Sequence, residues 1–169
     1  MNARGRSAAA LTAAGLAIAL SACAPAVALE PAPEAASPAC ADVSVRLPDE
    51  IGGLAERETT AQATGAWGQP TAIVLHCGAP PPAPTSTLPC YTVGEVDWLV
   101  DDADDPTFLF TSYGRTPAVT VAVDNTAVAG ITVLESLSAA VAQLPSTGAC
   151  LALEDLGEIP SVDDEVTAG

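Results

Sequence analysis

His76 is the one imidazole among 169 residues, so any acid–base step built on histidine has to use it. Asp97 would orient that ring if the strands carrying the two residues pair. Together they would form the acid/base pair of an envelope enzyme acting on a cell-wall or small polar substrate. Against this, the chain has no Gly-x-Ser-x-Gly elbow, and no serine or cysteine can be placed beside His76 as a nucleophile. Glu95 and Asp97 share a strand face, but a glycosidase sets its carboxyls about 5 Å or roughly 6.5–9.5 Å apart across an aromatic cleft, and the aromatics here read as core. The run Asp101-Asp102-Ala103-Asp104-Asp105 offers carboxylates for calcium. It lacks the spaced Gly and Glu of an EF-hand loop and reads as a solvated turn. No CxxC or HxxxH spacing supports zinc. The expectation is a non-catalytic protein with no metal and no cofactor.

The strongest chemical signal is Leu20-Ser21-Ala22-Cys23. A basic start (Arg4, Arg6), an apolar run from Ala8 to Leu20 and the small residues Ser21 and Ala22 make a secretory signal. A cysteine directly after them makes a bacterial lipobox, in which the Cys23 thiol is lipidated and the chain is cut before it. The expected partners are therefore the membrane, through the lipid on Cys23, and an envelope protein. The expected location is the extracytoplasmic face of the cell membrane. Arg4 and Arg6 leave with the signal, so Arg46, Arg57 and Arg115 face 21 acidic residues with no lysine. Such a surface repels nucleic-acid phosphates and anionic headgroups, which excludes nucleic acid as a partner.

Setting Cys23 aside leaves Cys40, Cys77, Cys90 and Cys150, an even set in an exported chain and hence a disulfide frame. Three pairings are open. Spacing favours Cys77–Cys90, closing the proline-rich segment between them, with Cys40–Cys150 tying the ends of the domain.

Four regions follow: a signal peptide over 1–22, a lipidated cysteine with a Pro/Ala tether over 23–37, a globular domain over 38–150 and an acidic flexible tail over 151–169. An extended Pro-rich tether rises about 3.1 Å per residue, enough to hold the domain some ~40 Å from the bilayer. Ser37-Pro38 reads as a helix start, with Cys40, Val43 and Leu47 on one face and Pro48 as the stop. Gly52-Gly53 and Gly65 read as breakers. Period-two alternation marks strands at 72–77, 95–100, 107–113 and 119–123. Ile131, Leu134, Leu137, Val141 and Leu144 line one face of a second helix. The expected fold is α+β: a four-stranded, mainly antiparallel sheet covered on one face by two helices and stapled by disulfides. Trp67, Tyr113 and Arg115 fall in turns rather than on periodic faces, and are the candidate binding residues.

Several motifs carry a resemblance: Ala66-Trp67-Gly68-Gln69-Pro70, Val74-Leu75-His76-Cys77-Gly78, Pro80-Pro81-Pro82, Pro89-Cys90, Val96-Asp97-Trp98-Leu99-Val100 and Thr111-Ser112-Tyr113-Gly114-Arg115-Thr116-Pro117-Ala118-Val119. Over residues 38–150 the chain resembles an actinobacterial family of secreted or lipid-anchored proteins, domain of unknown function three-five-one-five. That family often carries Arg where His76 stands, which weakens a catalytic histidine. The resemblance implies an envelope location and a disulfide-bearing domain, and brings no activity, cofactor or ligand.

Overall fold

A computed structural model describes residues 25–84 and 87–150; the expected signal peptide over 1–22, Cys23 and the expected tail over 151–169 lie outside the described residues. The described residues form eight strands and two helices: α1 (Pro38–Ser44), β1 (Glu50–Ile51), β2 (Leu54–Arg57), β3 (Thr64–Trp67), β4 (Ile73–Ala79), β5 (Cys90–Val93), β6 (Val96–Asp101), β7 (Thr107–Tyr113), β8 (Ala118–Asp124) and α2 (Gly130–Val141). All eight strands join one antiparallel sheet in the order β1-β2-β3-β4-β8-β7-β6-β5. The four-stranded sheet expected from the sequence is therefore corrected to an eight-stranded one.

The missed strands have local causes. Gly52 and Gly53 do not break an element; with φ of 58° and 83° they are the two-residue turn of the β1–β2 hairpin. Positive φ at both central positions matches the right-handed twist of the flanking strands. Gly65 lies inside β3 because the Trp67 ring occupies the space of a side chain: a Cβ there would come within 2.6 Å of the indole. β5 precedes a second tight turn, with Val93 paired to Val96 and Gly94 at φ 61° between them.

The sheet is two four-stranded meanders, β1–β4 and β5–β8, sewn together where β8 pairs with β4. The connection from β4 to β5 must cross to the far edge of the sheet. Four strand spacings are about 19 Å, and a proline-rich chain at about 3.1 Å per residue covers that distance without needing to donate to any ladder.

One face of the sheet presents Trp67, Ile73, Leu75, Val121, Val123, Val96, Trp98 and Phe110 to both helices, and these side chains are buried with Val43, Val133, Leu137 and Val141. α1 is a short helix that ends at Ser44 rather than running to Pro48, and Ser44 Oγ donates to the Cys40 carbonyl. Asn125 Oδ1 accepts from Gly130 N at the start of α2. The disulfides are Cys40–Cys77, which ties α1 to β4, and Cys90–Cys150, which ties the end of the described chain to edge strand β5. Both differ from the pairing that spacing favoured. Cys77 and Cys90 are close in sequence, but the crossover carries Cys90 to the opposite edge, far beyond the roughly 7 Å Cα limit of a disulfide.

Residues 25–36 are not a free spacer. Val27 bridges to Thr59, with Val27 N donating to Glu58 O (2.8 Å) and Thr60 N to Val27 O (3.0 Å). Further along, Glu34 N donates to Gly78 O (2.9 Å) and Ala35 is buried. A Cβ at Gly78 would meet Ala35 N at 2.4 Å, so this crossing requires glycine.

Candidate functional site

Where the N-terminal half of α2 crosses the distal strands, the apolar face is only partly covered. Gly130 lets the helix rest directly on Phe110, since a Cβ there would lie 2.5 Å from the ring. Beyond that contact an apolar groove of about 340 Å³ opens, lined by Tyr91 and Val93 of β5, Val100 of β6, Phe108 and Phe110 of β7 and Ile131 and Leu134 of α2. Phe108 and Phe110 project on the same face, with ring centroids 6.4 Å apart. The groove lips are exposed: Tyr91 at 58% and Ile131 at 52%. Asn125 also reaches the lining, but its Oδ1 already accepts from Gly130 N. The volume falls within the usual range for small sites. The lining carries no charged group; its one titratable group is the Tyr91 phenol. This is a surface for holding apolar groups, with no arrangement for proton transfer or nucleophilic attack.

The residues singled out by sequence occupy other places. Trp67 is fully buried, and its Nε1 donates to the Pro48 carbonyl (2.8 Å), so it is core. Tyr113 ends β7, paired with Asp97 and half-buried. Arg115 donates through Nη1 to the carbonyls of Ala142 (3.2 Å) and Leu144 (2.8 Å) and through Nη2 to the Glu95 carbonyl, closing the C-terminus of α2 against the β5–β6 turn. Tyr113 and Arg115 do not line the groove.

His76 and Asp97 lie on the same face of the sheet, but their strands do not pair: β8 and β7 intervene. Three strand spacings are about 14 Å, too far for one carboxylate to orient the ring. Burial pulls the His76 pKa below its ordinary value, partly opposed by a hydrogen bond with the Glu30 backbone. Asp97 is occupied, accepting from Thr92 Oγ1 (2.6 Å) and from Cys150 N (2.7 Å). In the acidic turn, Asp101 accepts from Ala103 N (3.1 Å). Among the described residues no three His, Cys, Asp or Glu side chains come together as a metal site requires.

A second recess, near the chain's first described residues, is lined by Glu56, Arg57, Glu58, Thr59 and Thr64. Burial, then the charges of Asp49 and Glu58, push the Glu56 pKa above its ordinary value. Arg57 is committed here: Nη2 donates to the Pro25 carbonyl (2.7 Å) and Nη1 to Thr71 Oγ1 (2.8 Å). Arg46 donates to the Asp42 carbonyl and makes an exposed ion pair with the same residue. All three arginines among the described residues therefore donate to backbone carbonyls.

The helical stripe in the sequence sets Ile131 on the apolar face of the second helix, yet the structure leaves it 52% exposed at the groove; Tyr91 stands on no periodic pattern that would single it out. Only the meeting of β5 with α2 marks them.

The chain belongs to a family described as proteins of unknown function (DUF3515), whose family model matches residues 7–149. The match starts ahead of the docked segment 25–36 and stops one residue short of Cys150. No curated protein and no solved structure matches the chain.

Proposed function

We propose that this protein is lipid-anchored through Cys23 on the extracytoplasmic face of a bacterial membrane and acts there as a non-catalytic binding module. The observation that carries the binding role is the groove between α2 and β5–β7, with its exposed lips Tyr91 and Ile131. β5 is the terminal strand of the sheet, so an extended segment of a partner protein can lie along that edge. Pairing to the edge places alternate side chains of the incoming segment over the groove, combining main-chain hydrogen bonds with apolar burial. The anchoring half of the reading rests on Leu20-Ser21-Ala22-Cys23.

Two measurements test it. Cys23→Ser should release the domain from the membrane fraction or stall its processing, and unchanged anchoring would refute the lipid attachment. For the groove, a photo-crosslinking amino acid at Ile131 should give a discrete protein adduct in intact cells. The same probe at the exposed Ser136, on the outer side of α2, should not. Identical adducts from both positions, or none from Ile131, would refute the docking role.

A further inference from the structure

We infer that the docked segment 25–36 seats the domain against the bilayer on its β1–β3 side and holds the apolar groove on the side facing away from the membrane. This rests on lipidation of Cys23 and deepens that reading. A Pro/Ala run after a lipidated cysteine would ordinarily be a spacer, but here the hydrogen bonds begin at once. Pro25, the second residue after Cys23, gives its carbonyl to Arg57 Nη2 (2.7 Å). Val27 exchanges hydrogen bonds with the backbone of Glu58 and Thr60, and Leu29 N donates to Thr60 Oγ1 (3.0 Å). Farther on, Glu34 N is bound to Gly78 O.

From Pro25 onward, then, the chain belongs to the fold. What remains between the lipidated residue and its first fixed neighbour is Ala24 alone, and the two steps from Cys23 to Pro25 span at most about 7 Å when fully extended. The edge carrying Arg57, Glu58 and Thr60 must lie within roughly that distance of the headgroups, and the domain cannot swing out on a long arm.

The sheet order sets where everything else goes. β7 is four strand positions from β2, and β5 is six. At about 4.8 Å per spacing the groove lies roughly 19–29 Å from the docked edge. Electrostatics does not create this seat. Glu56 and Glu58 flank it, and Arg57, the cation that lines the recess there, already donates to Pro25 and Thr71. Such an edge has no attraction for anionic headgroups. The covalent leash imposes the approach, and the exposed acids prevent the edge from spreading onto the lipid.

The test uses the lipidated protein purified from membranes and placed in phosphatidylcholine vesicles containing headgroup-nitroxide lipid. A fluorescent amino acid at the exposed Glu58 should be quenched several-fold more than one at the exposed Ala103 in the β6–β7 turn. A flexible Gly/Ser insert between Ala24 and Pro25 should lower the Glu58 quenching to the Ala103 level. Equal quenching at the two positions in the uninserted protein, or quenching at Glu58 that ignores the insert, would overturn the seat. Flotation with the vesicles and the mass of the N-terminal peptide are read in parallel. A protein that neither floats nor carries lipid overturns the anchoring reading itself. One that floats, carries lipid and shows equal quenching overturns only the seat.

Discussion

Arg115→Ala separates a structural clamp from a ligand-binding arginine. The last carbonyls of a helix have no partner within the helix. Arg115 supplies one for the turn after α2 by donating to Ala142 O and Leu144 O, while its other nitrogen reaches Glu95 O on the β5–β6 turn. Hydrogen bonds from a charged donor contribute about 1.5–3 kcal/mol each when intact. They will not add fully here, because Arg115 is half-buried and the freed carbonyls can take up water. An overall loss of about 3 kcal/mol is the reasoned value, or a fall in Tm on the order of 10 °C for a domain of this size. Arg115→Lys should lie between the two, since an ammonium is a point donor and cannot span three separate carbonyls. Arg46→Ala is the control: its ion pair with Asp42 is long (3.5 Å) and exposed, and such pairs contribute below about 1 kcal/mol. Thermal and urea unfolding followed by circular dichroism, without reductant, gives all three values. If Arg115→Ala melts with the parent yet loses the Ile131 photo-adduct, the clamp argument is wrong and Arg115 binds the partner.

Four further outcomes rest on the same contacts. Ser112→Ala should destabilise the domain by about 1–3 kcal/mol in urea unfolding, because the buried Ser112 Oγ accepts from Val119 N (2.8 Å) and its loss strands that donor; an unchanged midpoint would show that the donor finds another partner. Non-reducing peptide mapping should give Cys40–Cys77 and Cys90–Cys150. Replacing both cysteines of the second bridge, which closes a separation of 60 residues, should remove about 4 kcal/mol in the chain-entropy model. Recovery of a Cys77–Cys90 peptide would contradict the strand order. Glu56→Gln should raise the urea midpoint at pH 7. The folded state binds the Glu56 proton more tightly than the unfolded chain does, so that group's penalty is present above its raised folded pKa and disappears as pH falls below the unfolded value. A gain that grows toward acid would refute this.

Sequence periodicity marked β4, β6, β7, β8 and α2 because each is long enough to show its alternation or helical stripe. β1 has two residues and β2 alternates weakly, so neither can produce a period-two signal, and in the sequence the Gly52-Gly53 turn between them reads as an interruption. β5 was hidden by the prolines ahead of it. The disulfide pairing was out of reach for a related reason. Loop length orders the entropy of closure, but whether two cysteines can meet depends on strand order, and the crossover through Pro80-Pro81-Pro82 reverses what proximity in sequence suggests. Composition was equally silent about residues 25–36. A Pro/Ala segment has few donors and looks like a spacer, yet a few backbone groups, at Pro25, Val27, Leu29 and Glu34, are enough to fix it where the fold presents matching partners.

The two disulfides give these features a common mechanical sense. Cys40–Cys77 pins α1, and with it the end of the docked segment, to a central strand. Cys90–Cys150 holds β5, a four-residue strand with a neighbour on only one side, against a chain segment that Asp97 also grips through Cys150 N. An edge strand of that length would otherwise fray, because few hydrogen bonds oppose its conformational entropy. Tyr91 and Val93 form one wall of the groove, so fraying of β5 would dissolve the wall. Holding the strand in place in advance would remove an ordering cost from the proposed docking. The bridge at the sheet edge opposite the docked segment therefore stiffens β5, and the groove lies beside it.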